Sequence, residues 1–132
     1  MSDYTKVNLR EIEDSAPKFG FGDALSARFA GKELEMERIG LALERVAPGK
    51  KAPFGHRHER HEEVYVVVAG SGRIKLDEDV VELGQWDAIR VAPQVARQME
   101  AGPEGIEVLA FGEASPGSGT QDAEVLPEFW SD

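Results

Sequence analysis

Residues 55–72 read GHRHERHEEVYVVVAGSG, and no other stretch restricts the possible folds as much. From Val64 to Ala69 the chain has the composition of a strand. Glu63, Tyr65 and Val67 share one face and Val64, Val66 and Val68 the other, and both faces are apolar along most of the strand. A sheet with one wet face would alternate apolar and polar residues. The second face must therefore be covered, either by the N-terminal segment or by another subunit, and we expect a homodimer. Gly70-Ser71-Gly72 is expected to close the strand as a turn.

All three histidines of the chain, His56, His58 and His61, stand directly before this strand. His56 and His58 are two apart, so an extended backbone projects them to one face, and Glu63 follows at the strand's start. Two imidazoles and a carboxylate aimed into one cavity make a ligand set for a hard or borderline divalent metal. The plainer alternative is a polar strand entrance whose histidines hydrogen-bond one another and water. His61 lies between the pair and Glu63, where a solvent-facing loop position is expected.

Composition removes several function classes. A net charge of -10 disfavours nucleic acid, which needs clustered Lys and Arg, and disfavours anionic membrane surfaces. With no cysteine there is no disulfide scaffold, thiolate chemistry or Cys-type zinc site. No apolar run reaches spanning length and the N-terminus lacks a signal core, so a cytoplasmic protein is expected.

Along the chain, 1–37 is expected to give N-terminal strands and loops packing on a barrel, 38–112 the barrel core, and 113–132 a C-terminal loop and clip. Val7-Asn8-Leu9 and Arg28-Phe29-Ala30 read as edge strands, while Glu33 to Glu37 fits a strand or a helical turn equally. In Arg38 to Val46, Ile39, Leu41 and Leu43 alternate with Gly40, Ala42 and Glu44. A hairpin follows, with Ile74 and Leu76 leading through Glu78-Asp79 to Val80–Leu83. Trp86 to Ala92, Val95 to Glu100 and Ile106 to Phe111 complete the strands, with Ala101–Gly105 as a turn. Gly112 to Asp122 reads as loop, and Leu126, Phe129 and Trp130 as a hydrophobic clip. Some eight short strands with little helix predict an all-β antiparallel barrel or sandwich.

The site-bearing segment resembles the first motif of the cupins, small double-stranded β-helix (jelly-roll) barrels. That motif runs His-x-His, three or four residues, Glu, six residues, Gly, and here the positions are His56, His58, Glu63 and Gly70. The second motif corresponds to Trp86-Asp87-Ala88-Ile89-Arg90-Val91-Ala92-Pro93-Gln94-Val95-Ala96-Arg97, and it departs in three places. Trp86 and Gln94 stand where Gly is usual, and Arg97 stands where the fourth metal ligand, a His, should be. Arginine has no lone pair to offer and its charge opposes a nearby cation.

Two outcomes stay open. In one, His56, His58 and Glu63 hold a divalent transition metal (Fe, Mn, Ni or Zn), with Gln98, His61 or water filling in. In the other, the metal is lost and Arg97 pairs with Glu63 or with a ligand's carboxylate or phosphate. Tyr65 and Trp86 either line the pocket or pack. The resemblance implies a metal-dependent enzyme, of the dioxygenase-like oxidoreductase or isomerase kind, acting on a small metabolite. The alternative is a non-catalytic cupin that binds a small ligand without metal. The fold by itself hosts both.

Overall fold

The computed structural model describes residues 3–113 and 122–131. Eight strands form one curled, entirely antiparallel sheet: β1 (Leu25–Phe29), β2 (Ile39–Val46), β3 (Gly55–His58), β4 (Glu63–Leu76), β5 (Asp79–Leu83), β6 (Ala88–Val91), β7 (Arg97–Glu113) and β8 (Ala123–Leu126). Two 3₁₀ turns, Leu9–Glu11 and Ala16–Phe19, are the only helical pieces among the described residues. None is long and apolar enough to cross a membrane.

The barrel closes because β4 and β7 pair twice. Glu63–Gly70 of β4 lies against Ile106–Gly112 of β7, and Gly72–Leu76 lies against Arg97–Ala101. Each strand must therefore bend sharply in the middle. The expected turns at Gly70–Gly72 and Ala101–Gly105 are these bends, and neither ends its strand. Gly70 and Gly105 both take positive φ, 75° and 84°. A Cβ on Gly70 would sit 2.0 Å from the Gly105 carbonyl oxygen, so two backbones meet there with no room for a side chain. The remaining register breaks fall between Val67 and Ala69 and between Gly70 and Gly72, as β-bulges do at barrel corners.

Other expectations need correction. Residues 7 and 8 are irregular, and Leu9 begins a 3₁₀ turn capped by the Asn8 side chain, so Val7–Leu9 is no edge strand. The 28–30 strand begins earlier, at Leu25, and pairs with β2. Residues 31–35 are turns. Trp86 precedes β6, at φ 71° and 70% exposed, so it neither lines the pocket nor packs. Its left-handed backbone explains why a glycine suits that position. Gln94 needs no such backbone, being absent from the positive-φ residues. Within β2 the face turned inward carries Ala42, Glu44 and Val46, while Ile39 is 57% exposed.

The core is built on the inner faces. Val67, Ile74, Ile106, Val108 and Val91 are almost wholly buried. On the outer face Val64, Val66 and Val68 are half-buried. The N-terminal segment covers one end of that face: Ile12 is buried, the Arg28 guanidinium donates to its carbonyl, and Arg10 holds Glu107 through two hydrogen bonds of 2.8 and 3.1 Å. At the other end Leu41, Phe111 and Val64 lie in register, with Ile39 two pairs further on, and Ile39 and Phe111 are exposed. Of the expected clip, Trp130 is buried beneath Lys51 and Arg73, and the Phe129 ring lies 4.7 Å from Lys75 Nζ. Residues 114–121 of the expected loop lie outside the described residues.

Gly70→Ala is expected to lose about 3 kcal/mol or more, from a disfavoured backbone and a backbone clash together. Urea unfolding at constant m-value measures it.

Candidate ligand and metal site

β3 delivers the two histidines by simple parity. His56 and His58 face inward beside Val125 and Ala123 of β8, to which they are paired in register. Arg57 between them turns outward and pairs with Glu124 at 2.8 Å. β4 supplies Glu63 and, two residues on, Tyr65. β7 supplies Arg97, whose backbone stands opposite His56.

These side chains meet on one atom, Glu63 Oε1. Arg97 Nη1 lies 2.8 Å away, His58 Nε2 3.2 Å and His56 Nε2 3.4 Å, and the Tyr65 hydroxyl donates to the same oxygen. Burial alone would raise the Glu63 pKa. The polar contacts of His56, His58 and Tyr65, and the charge of His56, outweigh it and hold the carboxyl well below its usual range. Burial, then the charge of Glu63, pushes the Tyr65 hydroxyl well above its usual value, so it remains a donor.

Arg97 is 1% exposed and is fixed on several sides. Besides Glu63, its guanidinium donates to the carbonyls of Val95, Ala92 and Pro93 at 2.9, 2.7 and 3.3 Å. The pre-β7 turn wraps those carbonyls around it, so a buried cation finds both its counter-ion and its acceptors.

A second shell stands behind His58. Its Nδ1 lies 3.1 Å from Asp122 Oδ2, and a carboxylate there only accepts, so Nδ1 carries the proton. Nε2 is then turned to the cavity. It is close to Glu63 but off the hydrogen-bond direction, and it has no partner. Asp122 also accepts from the backbone N–H groups of Arg60 and His61. Burial would raise its pKa, and those N–H groups outweigh burial and lower it. His61 does not line the cavity. Its Nδ1 stands 3.4 Å from Asp122 Oδ2, and its side chain is 14% exposed, a more sheltered place than the expected solvent-facing loop.

The cavity has a volume of about 440 Å³. Beyond the cluster its wall is mostly hydrocarbon, including Leu25, Phe29, Phe54, Met99 and Val108, with Gln98 and Glu44 as further polar groups. Gln98 Nε2 donates to the Ala52 carbonyl at 2.7 Å. Glu44 has its pKa pushed up to about 7, first by burial and then by the charge of Glu63. Sequence reasoning missed Glu44 and Asp122. The first is the one acidic residue on the small-residue side of the β2 alternation, which was a usable signal. Asp122 ends a Gly- and Ser-rich tail and gave none.

The family model described as the cupin domain matches residues 42–111, over half of the chain. The chain is a cupin. Its fold agrees with solved structures of low sequence identity. A cupin protein from Bacteroides fragilis is 23% identical, with 89% of each chain covered and a TM-score of 0.69. Streptomyces PAC13, solved with uridine, is 19% identical over 96% of this chain and 93% of that one, with a TM-score of 0.73. A sugar phosphate isomerase of the cupin superfamily from Silicibacter pomeroyi is 20% identical, covering 84% and 76%, with a TM-score of 0.68. Among curated proteins nothing matches.

As a donor set, His56, His58 and Glu63 could hold a metal ion, and this cupin's orphaned His58 Nε2 is the atom most in need of one. The fourth position does not fit. Arg97 cannot ligate, and it places a fixed positive charge against the carboxylate that a cation would share. Two unit charges 4 Å apart repel by about 4 kcal/mol at the effective dielectric of a protein site, and a divalent ion doubles this.

Glu44 gives the site a pH signature. Its pKa is near 4.5 unfolded and about 7 folded, so between these values the folded state binds more protons than the unfolded one. Stability therefore falls as pH rises from about 4.5 to 7, by at most about 3 kcal/mol. Urea unfolding at pH 5 and pH 8 should show this loss in the wild type and its removal in Glu44→Gln.

Proposed function

We propose that this cupin binds a small molecule in the barrel cavity without needing a resident metal, with Arg97 serving as the fixed cation of the site. The observation that carries this reading is the 2.8 Å contact between Arg97 Nη1 and Glu63 Oε1, locked by three backbone carbonyls. A guanidinium so held already neutralises Glu63 and has no room to swing aside for a cation. The residues then act as a rigid polar floor: His56, Tyr65 and Arg97 hold Glu63, Asp122 fixes His58, and a ligand rests on the apolar walls above.

The second reading is a metal-dependent enzyme, a dioxygenase-like oxidoreductase or an isomerase on a small metabolite. It is favoured by the 3.2 and 3.4 Å spacings to Glu63 Oε1, which neighbouring ligands of a metal held at about 2.1 Å would also show. Fold likeness does not choose between them, since the similar structures include one called an isomerase and one solved with uridine.

Elemental analysis of protein purified without an affinity tag decides. We expect well under one transition-metal ion per chain, and Arg97→His, which completes the family's ligand set, should bind Mn(II), Fe(II) or Ni(II) at least tenfold tighter than wild type by calorimetry. A stoichiometric resident metal in the wild type overturns the proposal.

We also propose that the chain forms a homodimer through the outer face of β2, β7 and β4. The support is the in-register apolar row Leu41, Phe111 and Val64, flanked by exposed Ile39, at the end the N-terminal segment leaves uncovered. Light scattering at high micromolar concentration should give twice the chain mass, and Val66→Lys should return it to one. A wild-type monomer at that concentration refutes it.

A further inference from the structure

The polar groups of the cavity are unequally satisfied. Among the described residues its one arginine, Arg97, spends four of its five N–H groups on Glu63 and three carbonyls, and no lysine lines the space. His56 turns Nε2 onto Glu63, and His58 Nε2, its proton being on Nδ1, is a lone pair and no cation. An incoming carboxylate or phosphate would find no free cation, in contrast to the anion-holding role weighed for Arg97 on sequence grounds.

What the cavity does offer is acceptors. Gln98 is 5% exposed, and its Oε1 has no hydrogen-bond partner. Its orientation is not arbitrary, because the Ala52 carbonyl requires Nε2 on the other side. Glu44 lines the same space and makes no side-chain hydrogen bond or ion pair among the described residues. A buried acceptor left unpaired, as Gln98 Oε1 is, is costly, and the natural remedy is a ligand that brings donors.

We infer that the ligand of this cavity is an uncharged, largely apolar molecule whose N–H or O–H groups reach Gln98 Oε1 and the Glu44 carboxyl. This deepens the metal-free reading above and rests on it. The field inside the barrel supports it independently of shape. A carboxylate already resident at Glu44 has its pKa pushed up to about 7, by burial and by Glu63, so the site resists a second negative charge. A cationic ligand would leave water for walls that are mostly hydrocarbon, beside the fixed guanidinium of Arg97.

Four probes of one shape test this on wild-type protein dialysed against chelator, with metal content measured on the same sample. They are naphthamide, naphthoate, naphthamidine and acetonaphthone: neutral with donors, anionic, cationic, and neutral without donors. Titration followed by protein-observed NMR should show naphthamide binding at least tenfold tighter than each of the others. Naphthoate or naphthamidine matching it overturns the absence of charge, and acetonaphthone matching it overturns the need for donors. Either failure in metal-free protein leaves the metal-free reading standing. A stoichiometric metal found before dialysis removes that reading while leaving the probe ranking to be judged by itself.

Discussion

One carboxylate oxygen organises this molecule. Glu63 Oε1 sits where β3, β4 and β7 come together, and four side chains from those three strands close on it. A charge taken out of water must be met by partners of good geometry, and here the strongest is Arg97, itself sealed by three carbonyls. Removing one member of such a buried pair leaves the other uncompensated, at a cost of about 3–5 kcal/mol, so neither residue is free to change alone. The polar floor and the closure of the barrel are therefore one problem. The strands that pair to close the sheet are those whose ends carry the cluster.

Much of this was legible in the chain. The spacing His56, His58, Glu63, Gly70 located the fold, and strand parity placed the histidines and Glu63 on one side of the cavity. The glycine of that motif has a physical reason visible only in three dimensions, the collision with Gly105 across the β4–β7 corner. A turn and a mid-strand bend use the same residues, so Gly70–Gly72 and Ala101–Gly105 read as strand ends until the double pairing of β4 and β7 is seen. The position of Arg97 was readable as a departure from the family, but its three carbonyl partners come from backbone geometry that composition does not encode.

The inward face of β2 was hidden for a different reason. Ile39, Leu41 and Leu43 belong to the outer face, Leu43 buried there, while Ala42, Glu44 and Val46 turn inward and the last two line the cavity. The inward face of β2 is thus the one with fewer large apolar residues, which inverts the usual inference from alternation. The same cavity leaves the Glu44 carboxyl and Gln98 Oε1 without hydrogen-bond partners among the described residues, so the groups least explained by folding are those best placed to meet a ligand.

The pairing of β3 with β8 carries a consequence for how the molecule is made. Gly55–His58 finds its only full-length partner in Ala123–Leu126, and Ala123 and Val125 form part of the cavity wall. A contact that distant in sequence must meet its loop-closure entropy before it gains anything, and non-local pairing is slow to form. During synthesis β3 cannot pair along its length until Ala123–Leu126 has been made, while β4 and β5 can already pair as a local hairpin. The wall that shelters His56 and His58 is thus complete only once β8 is in place beside them.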